Sequence, residues 1–425
     1  MPGEWIEVEG RRAADSSGEA AVSAGRLPTR RDSLARALAG FSAAAAAWAL
    51  PSRLLAQPVA ERPSAAGPPA LQRRPLQFPR DFGAHPQART EWWYVTGWLA
   101  PAGSTAPSHG FQLTFFRRRT DLAEGNSSAF AARQLLLAHA ALTDLAGRRL
   151  RHDQRVARSG FGLAEASAQD TQVHVHAGSR WELGRSPDPE AAGSDRSRYR
   201  LQLASPAAGM RLDLQLQSTQ PLLLQGEAGW SRKGPRPEQA SFYYSQPQLA
   251  VSGQMQLDSG ESRAVQGRAW LDHEWSEALL DAEAVGWDWL GINLFDGSVL
   301  TAFRLRRREG HPAGVALWAG GSWRSAGGSS RSFAPGAVNF IALKSWTSPR
   351  QGRSGPVRYP VHWRIETPAG NFLLQALLDD QEIDGRASTG TLYWEGLSEL
   401  LDAGSGRRIG LGYLEMTGYA DRPGV

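Results

Sequence analysis

Bulky aromatic side chains that recur with a period of two are the feature that most constrains this chain. Within residues 91–99, which read EWWYVTGWL, Trp92 and Tyr94 fall on one side of an extended strand, whereas Trp93 and Val95 fall on the other. Such alternation is typical of a half-buried β-strand, because successive side chains of a strand point to opposite faces. A polar loop and a second alternating run follow, which predicts an antiparallel hairpin.

A second period-two run of aromatic residues occurs near the middle of the chain. Residues 287–295 alternate and lead into Asp296-Gly297, a strong signal for a tight hairpin turn. Other short alternating runs are separated by turn residues, as in antiparallel sandwiches or barrels. Residues 131–141 fit a helix on composition, but residues 139–142 also fit a strand. The sequence therefore predicts an all-β protein with two domains of about 170 residues each, over 81–250 and 251–425.

The N-terminal 56 residues are predicted to be an export signal. The paired Arg30-Arg31 is followed by an apolar, Ala-rich run over 37–50 and by Pro51. This order is typical of a Tat signal peptide, and it predicts a periplasmic or secreted protein. The apolar run is shorter than the ~20 residues of a comfortable membrane span, although a weak membrane anchor is an alternative. Residues 57–80 are rich in Pro, Ala and Arg and are interpreted as a linker.

Composition excludes several classes of site. The chain has no cysteine, which excludes a disulfide scaffold, a thiol nucleophile and cysteine zinc sites. A formal charge of +5 on 47 basic and 42 acidic residues gives no reason to expect nucleic-acid binding. His174 and His176 share one strand face, but no third ligand follows at a recognisable spacing. No phosphate-binding loop is present. We expect neither a metal nor a cofactor.

The densest cluster of chemically active residues is the segment Trp270-Leu271-Asp272-His273-Glu274-Trp275. If this segment is extended, Asp272 and Glu274 share one face at a separation of about 7 Å. Apolar surroundings and a neighbouring carboxylate both raise the pKa of an acid, and an acid that keeps its proton near neutral pH can act as a general acid. The alternative is a structural strand whose acids pair with Arg268 or with other arginines.

Asp288 is the other candidate catalytic residue. It lies between two tryptophans, so its side chain is either exposed on the outer face of the sheet or buried for a functional reason. Glu91, ahead of Trp92-Trp93, is a further acid beside aromatic residues. Large aromatic side chains also wall apolar pockets, although most of them fill cores. The candidate ligand-contacting residues are Trp92, Tyr94, Tyr243, Tyr244, Trp270, His273, Trp287 and Trp289.

In combination, these motifs resemble the AttH-like family, which includes carotenoid 1,2-hydratase (CrtC-like proteins) and the fungal kievitone hydratase. The resemblance spans about residues 80 to 420. Its segments are Glu91-Trp92-Trp93-Tyr94, Gly97-Trp98, Gly110-Phe111-Gln112, Phe115-Phe116, residues 270–275, Gly286-Trp287-Asp288-Trp289, Tyr393-Trp394-Glu395-Gly396 and residues 412–419.

The resemblance implies two tandem lipocalin-like antiparallel β-barrels. It also implies one of two functions. Some relatives add water to a carbon–carbon double bond without a cofactor, as a hydro-lyase, and here Asp272 would donate the proton with Glu274, Asp288 or Tyr244 as helpers. Other relatives are exported proteins associated with ABC-transporter permeases, which suggests a non-enzymatic protein that binds an isoprenoid or a lipid. The sequence leaves both functions open.

Overall fold

The computed structural model describes residues 71–425, except for 121–125, 177, 190–195, 278–279, 281–282, 308–314, 354 and 423–425. The predicted export signal over 1–56 and most of the predicted linker lie outside these residues. Regular structure in the described part consists of β-strands and of one 3-10 turn, Arg80–Phe82. No helix formed by the described residues has the length and apolar character needed to cross a membrane. The prediction of an all-β fold is confirmed.

A thirteen-stranded antiparallel sheet contains the first half of the described chain. Its strands are β1 (Thr90–Pro101), β2 (His109–Arg119), β3 (Gln134–Asp144), β4 (Arg149–Arg158), β5 (Ala164–Ala166), β6 (Gln172–Val175), β7 (Trp181–Pro187), β8 (Ser197–Ser205), β9 (Met210–Gln217), β10 (Leu223–Leu224), β11 (Trp230–Arg232), β12 (Ala240–Leu257) and β13 (Arg263–Ser276). They lie in the order β4-β3-β2-β1-β13-β12-β9-β8-β7-β6-β5, and β10 and β11 pair with β12.

This first sheet curls into a nearly closed barrel. Arg155 on β4 donates a hydrogen bond of 2.5 Å to the carbonyl oxygen of Ser179, and its guanidinium lies 4.3 Å from the ring centre of Trp181 on β7. The two ends of the sheet therefore approach each other. Trp93, Trp181 and Tyr199 are fully buried in the barrel core. The inward-facing residues of the alternating strands therefore form this core.

A second antiparallel sheet of ten strands follows within the described residues. Its strands are β14 (Ala284–Leu294), β15 (Val299–Arg307), β16 (Ala316–Arg324), β17 (Ser330–Ser332), β18 (Asn339–Gly352), β19 (Gly355–Thr367), β20 (Gly370–Ala376), β21 (Glu382–Asp384), β22 (Leu392–Asp402) and β23 (Arg408–Met416). They lie in the order β17-β16-β15-β14-β23-β22-β20-β19-β18, with β21 against β22.

The change from one sheet to the other occurs between Ser276 and Ala284. The predicted division at residue 250 falls inside β12, which pairs with β9 and β13 of the first sheet. Both hairpins that were predicted from period-two aromatic residues are present, as β1–β2 and as β14–β15. Residues 131–141, for which a helix and a strand were both open, contribute to strand β3.

Strand register places the acidic segment at the contact between the two sheets. β13 lies beside β1 at the centre of the first sheet, with Asp272 opposite Tyr94 and His273 opposite Trp93. Because side chains alternate, Asp272 and Tyr94 face outward from the barrel whereas His273 and Trp93 face its interior. An apolar cluster joins this outward face to the second sheet; it contains Tyr94, Trp270, Trp289, Phe303, Leu397 and Tyr413.

Candidate active site in a cavity between the two sheets

A cavity of about 440 Å³ lies where the outward face of the first barrel meets the second sheet. Its apolar wall includes Trp92 from the first sheet and Trp287 and Phe303 from the second. Its polar groups are five carboxylic acids, with hydroxyl groups, one histidine and basic residues nearby. The acids are Asp272, Glu274, Glu277, Glu395 and Glu415, of which Glu277 is paired with Arg119. Cavities with apolar walls and a few converging polar groups are the usual form of small-molecule sites.

Asp272 is the acid that the protein holds most firmly. Trp270 Nε1 and Ser245 Oγ donate hydrogen bonds of 2.6 and 2.5 Å to Oδ1, and the Tyr243 hydroxyl donates one of 2.7 Å to Oδ2. Burial raises the pKa of Asp272 to about 7, against the opposing effect of these donors. Near neutral pH this carboxyl group is therefore divided between its acid and its carboxylate forms, as general acid–base catalysis requires.

Glu274 lies two residues further along the same face of β13. Its Oε1 accepts a hydrogen bond of 2.5 Å from Ser241 and lies 2.9 Å from Lys233 Nζ. The same ammonium group lies 4.7 Å from the ring centre of Tyr243 and 4.4 Å from that of Phe303. Lys233 thus places a positive charge between Glu274 and the aromatic wall.

The second sheet contributes a pair of acids. Glu395 on β22 and Glu415 on β23 are directly opposite each other in register. Burial, together with the charge of Glu415, raises the pKa of Glu395 well above its usual value, and burial raises the pKa of Glu415 to about 8. Two carboxyl groups at this separation cannot both ionise easily in an apolar cavity, so the pair keeps a proton at neutral pH.

His139 occupies another part of the wall. Its Nδ1 lies 2.7 Å from the Tyr393 hydroxyl and its Nε2 lies 2.6 Å from Ser388 Oγ. Burial lowers the pKa of His139 to about 4, so its imidazole is neutral at physiological pH. In this form the ring orients the two hydroxyl groups and carries no charge into the cavity.

The structure brings together most of the residues predicted for the site. Asp272 and Glu274 face the cavity from β13, as the alternation of that strand predicted. The predicted ligand-contacting residues that also line it are Trp92, Tyr94, Tyr243, Trp287 and Trp289. Trp270 lies directly behind this wall, since its indole nitrogen is bonded to Asp272.

Asp288, predicted as catalytic, does not line the cavity. It is fully buried on the opposite face of β14, where Arg304 Nε donates a hydrogen bond of 2.7 Å to Oδ2 and the Tyr419 hydroxyl donates one of 2.8 Å to Oδ1. Arg306 Nε lies 3.4 Å from Oδ2. The two neighbouring tryptophans face the cavity, so alternation directs Asp288 into the second sheet, where its contacts indicate a structural role.

His273 and Tyr244 also lie away from the cavity, because alternation directs them into the first barrel. His273 Nε2 lies 2.9 Å from Glu91 Oε1, and His273 Nδ1 lies 3.0 Å from the Tyr244 hydroxyl. His85 and Arg117 complete this buried cluster. His85 Nδ1 lies 2.8 Å from Glu91 Oε1, and Arg117 Nε donates a hydrogen bond of 2.7 Å to Glu91 Oε2.

Three residues of this buried cluster have the spacing of a possible metal site, since one ligand atom each of His85, Glu91 and His273 lies within 4.8 Å of the others. The guanidinium of Arg117 already neutralises Glu91, and the free nitrogen of each imidazole has a partner of its own in Asp81 or Tyr244. Hydrogen bonding therefore accounts for the arrangement as an internal network that joins β1, β2 and β13. His174 and His176 stack on each other with ring centres 4.2 Å apart.

Comparison with known proteins identifies the family. The model of the AttH-like family matches residues 69–419. This chain belongs to the AttH-like family. The AttH-like protein superposes on the crystal structure of an AttH-type protein from Nitrosomonas europaea with a TM-score of 0.71 and 42% identity, over 83% of this chain and 99% of the other.

A second solved structure extends the likeness in fold. Kievitone hydratase from Nectria haematococca matches with a TM-score of 0.57 and 15% identity, over 83% of the AttH-like protein and 94% of the hydratase. Among curated proteins no match was found. The prediction of a lipocalin-like fold is confirmed.

Proposed function

We propose that this AttH-like protein binds an apolar molecule, an isoprenoid or a lipid, in the cavity between its sheets and adds water across a carbon–carbon double bond of that molecule. The observation that carries the proposal is Asp272, a buried acid with a pKa of about 7 in the wall of a largely apolar cavity. Such an acid is suited to protonating an alkene, which offers no lone pair and requires a well-placed proton donor.

The proposed step balances with side chains and water alone. The O–H bond of Asp272 breaks, and the π electrons of the alkene form a new C–H bond with its proton. The other alkene carbon becomes cationic, and the oxygen of one water molecule attacks it. Glu274 takes the proton that this water loses, and exchange with solvent returns a proton to Asp272. The product is an alcohol, and one water is consumed.

The walls of the cavity supply the other requirements of this step. The faces of Trp92, Trp287 and Trp289 offer negative π density to a developing positive charge. Tyr243 fixes the Asp272 carboxyl group, since its hydroxyl also accepts a hydrogen bond of 3.1 Å from Trp289 Nε1. The donor and the aromatic wall are thus joined by direct hydrogen bonds, which limits their movement during proton transfer.

One observation favours a second candidate function. Both oxygens of Asp272 already accept hydrogen bonds from the protein, so this acid does not require a substrate to satisfy it. This suits a binding protein that holds an isoprenoid or a lipid and delivers it to an ABC-transporter permease. Export by the Tat pathway and association with a permease both remain predictions from the N-terminal sequence and from the resemblance.

Two measurements separate these functions. Native mass spectrometry of protein purified from its host, followed by organic extraction, identifies a bound molecule. Incubation with acyclic isoprenoids in water labelled with heavy oxygen then tests the chemistry. Incorporation of the heavy oxygen into an alcohol product supports the hydratase. Saturable binding of the same isoprenoids without any product contradicts hydration and supports the binding protein. Glu261→Gln is the control variant, since Glu261 is an exposed acid in the turn between β12 and β13 and does not line the cavity.

A further inference from the structure

The proposed step leaves the acid pair of the second sheet without a role. Glu395 and Glu415 are opposite each other on neighbouring antiparallel strands, where Cβ atoms lie about 4.5–5.5 Å apart. Both side chains reach the cavity, on the side formed by the second sheet, whereas Asp272 and Glu274 reach it from the first. The cavity therefore contains carboxyl groups on two facing walls.

Polar atoms at this pair are buried and unsatisfied. Glu395 is 2% exposed and Tyr94 is 6% exposed. The two side chains are close enough to shift each other's pKa as hydrogen-bonding neighbours, but Glu395 Oε1 and the Tyr94 hydroxyl form no well-aligned hydrogen bond with the described residues. A buried polar group without a partner costs about 1–3 kcal/mol. Buried polar groups in natural proteins usually have a hydrogen-bond partner, and a molecule bound in this part of the cavity would supply one.

The charge around the pair specifies what that molecule carries. Neither Glu395 nor Glu415 forms an ion pair with a described residue. Two other acids of the cavity do, since Glu274 pairs with Lys233 and Glu277 pairs with Arg119. We propose that Glu395, Glu415 and Tyr94 form a subsite for a positively charged centre on an apolar ligand. The apolar body of the ligand then lies against Trp287 and Trp92, whose ring faces also attract a cation.

The subsite connects with the proposed hydration without depending on it. A cationic carbon formed when Asp272 protonates an alkene and an ammonium group on a bound amphiphile present the same chemistry to the pair. The subsite rests on one part of the proposed function, which is that the ligand binds in this cavity. It does not require that the ligand is hydrated. A stable ammonium compound therefore tests the subsite directly, and turnover of a neutral alkene tests the hydration step.

Binding of a cation at this subsite is expected to release a proton, which is a second quantity that an experiment can measure. Because the pair keeps a proton at neutral pH, a bound cation displaces it. The other titratable groups that influence the pair are Tyr94 on β1, Asp272 and Glu274 on β13, Asp288 on β14, Tyr393 on β22 and Tyr413 on β23. The tyrosines stay neutral near pH 7, since burial raises the pKa of each well above its usual value.

Calorimetry with dodecylammonium and with dodecanol, in two buffers of different ionisation enthalpy, measures affinity and proton release together. We expect the ammonium to bind at least tenfold more tightly than the alcohol and to release a proton. Glu395→Gln/Glu415→Gln is expected to lose both effects and to keep its affinity for dodecanol, whereas Glu261→Gln keeps all three. Equal affinity of the full-length wild-type protein for both probes, or binding of the ammonium without proton release, overturns the subsite even if the double variant does not fold.

The failures of the two proposals are distinguishable. A preference for dodecylammonium without turnover of any alkene removes hydration and leaves the subsite in place. Turnover of an alkene by a protein that prefers the alcohol supports hydration and removes the subsite. Tyr94→Phe is a milder variant at the same location, and we expect it to reduce the ammonium preference severalfold because the ligand loses one acceptor.

Discussion

The Tyr243 hydroxyl donates a hydrogen bond of 2.7 Å to Oδ2 of Asp272. These residues lie on neighbouring strands, and β12 also supplies the hydroxyl group of Ser245 to the same carboxyl group. Asp272 therefore has a defined orientation toward the cavity, which a proton donor needs if it is to meet a substrate in one geometry. Strand β12 therefore orients the Asp272 carboxyl group and also lowers its pKa through these two hydrogen bonds.

Tyr243→Phe is expected to raise the pKa of Asp272 above its value of about 7, because the variant removes a hydrogen bond that stabilises the carboxylate. A hydrogen bond to a charged group contributes about 1.5–3 kcal/mol, which corresponds to a rise of about one to two pH units. Carbon NMR titration of labelled aspartate carboxyl groups measures the shift. Tyr199→Phe, at a buried tyrosine of the barrel core, is the control. An unchanged or lowered pKa contradicts this account of Asp272.

Asp272→Asn is expected to change how stability depends on pH. The pKa of Asp272 is raised from 3.8 to about 7 in the folded protein, so between these values the native state holds a proton that the unfolded state has lost. The free energy of unfolding therefore falls as pH rises through this window, by roughly 4 kcal/mol at most. The variant lacks this contribution, so urea unfolding at about pH 4 and about pH 8 is expected to show a smaller loss than in the wild type.

The comparison between variant and wild type isolates this acid from the others that titrate in the same range. Asp213→Asn, in an ion pair near the surface with Arg200, is the control for a general effect of removing an aspartate. A variant that loses as much stability as the wild type between the two pH values is the outcome that would show Asp272 to be ionised throughout.

Glu91→Gln is expected to destabilise the protein by about 3–5 kcal/mol. The substitution leaves the buried guanidinium of Arg117 without its carboxylate and weakens the bonds to His85 and His273. Urea unfolding measures the loss, with Glu261→Gln as the exposed control. A chelator is expected to leave wild-type stability unchanged, since hydrogen bonds hold this cluster. A loss below about 1 kcal/mol, or clear destabilisation by the chelator, contradicts this interpretation of the network.

Gly291→Ala is expected to disturb the aromatic wall while leaving the strand in place. A Cβ atom at this position would lie 2.4 Å from the Trp289 ring and 3.2 Å from the Trp270 ring, so the ring of Trp289 has to move. We expect a loss of about 1–3 kcal/mol in stability and weaker ligand binding, because Trp289 supports Tyr243. Near-ultraviolet circular dichroism and urea unfolding measure both effects. An unchanged tryptophan signal contradicts the expectation.

Local sequence pattern was sufficient to predict the strands and part of the site. The period-two aromatic runs predicted β1, β2, β14 and β15, and the alternation in residues 270–275 separated Asp272 and Glu274 from His273 correctly. Alternation does not say which face meets the other sheet. This is why the prediction of a catalytic role for Asp288 was not supported. Its neighbours Trp287 and Trp289 face the cavity, so the side chain of Asp288 lies on the opposite face of the strand, against Arg304.

The remaining site residues depend on pairings between distant parts of the chain. Glu395 and Glu415 each resemble an ordinary strand residue, and only the register of β22 against β23 joins them. His139 meets Tyr393 and Ser388 across the contact between the two sheets. Lys233 directly follows β11 and meets Glu274 because β11 pairs with β12, which in turn pairs with β13. Glu395 and Glu415 both lie within segments that carry the family resemblance, which was the available signal.

The central claim is that Asp272 donates the proton for addition of water to an alkene in this cavity. Its most direct test is the rate at which heavy oxygen from labelled water enters the product, measured for the wild type and for Asp272→Asn with the same isoprenoid. We predict at least a hundredfold loss of rate in the variant, with substrate affinity retained. A folded Asp272→Asn protein that binds the isoprenoid and hydrates it at the wild-type rate would contradict the claim.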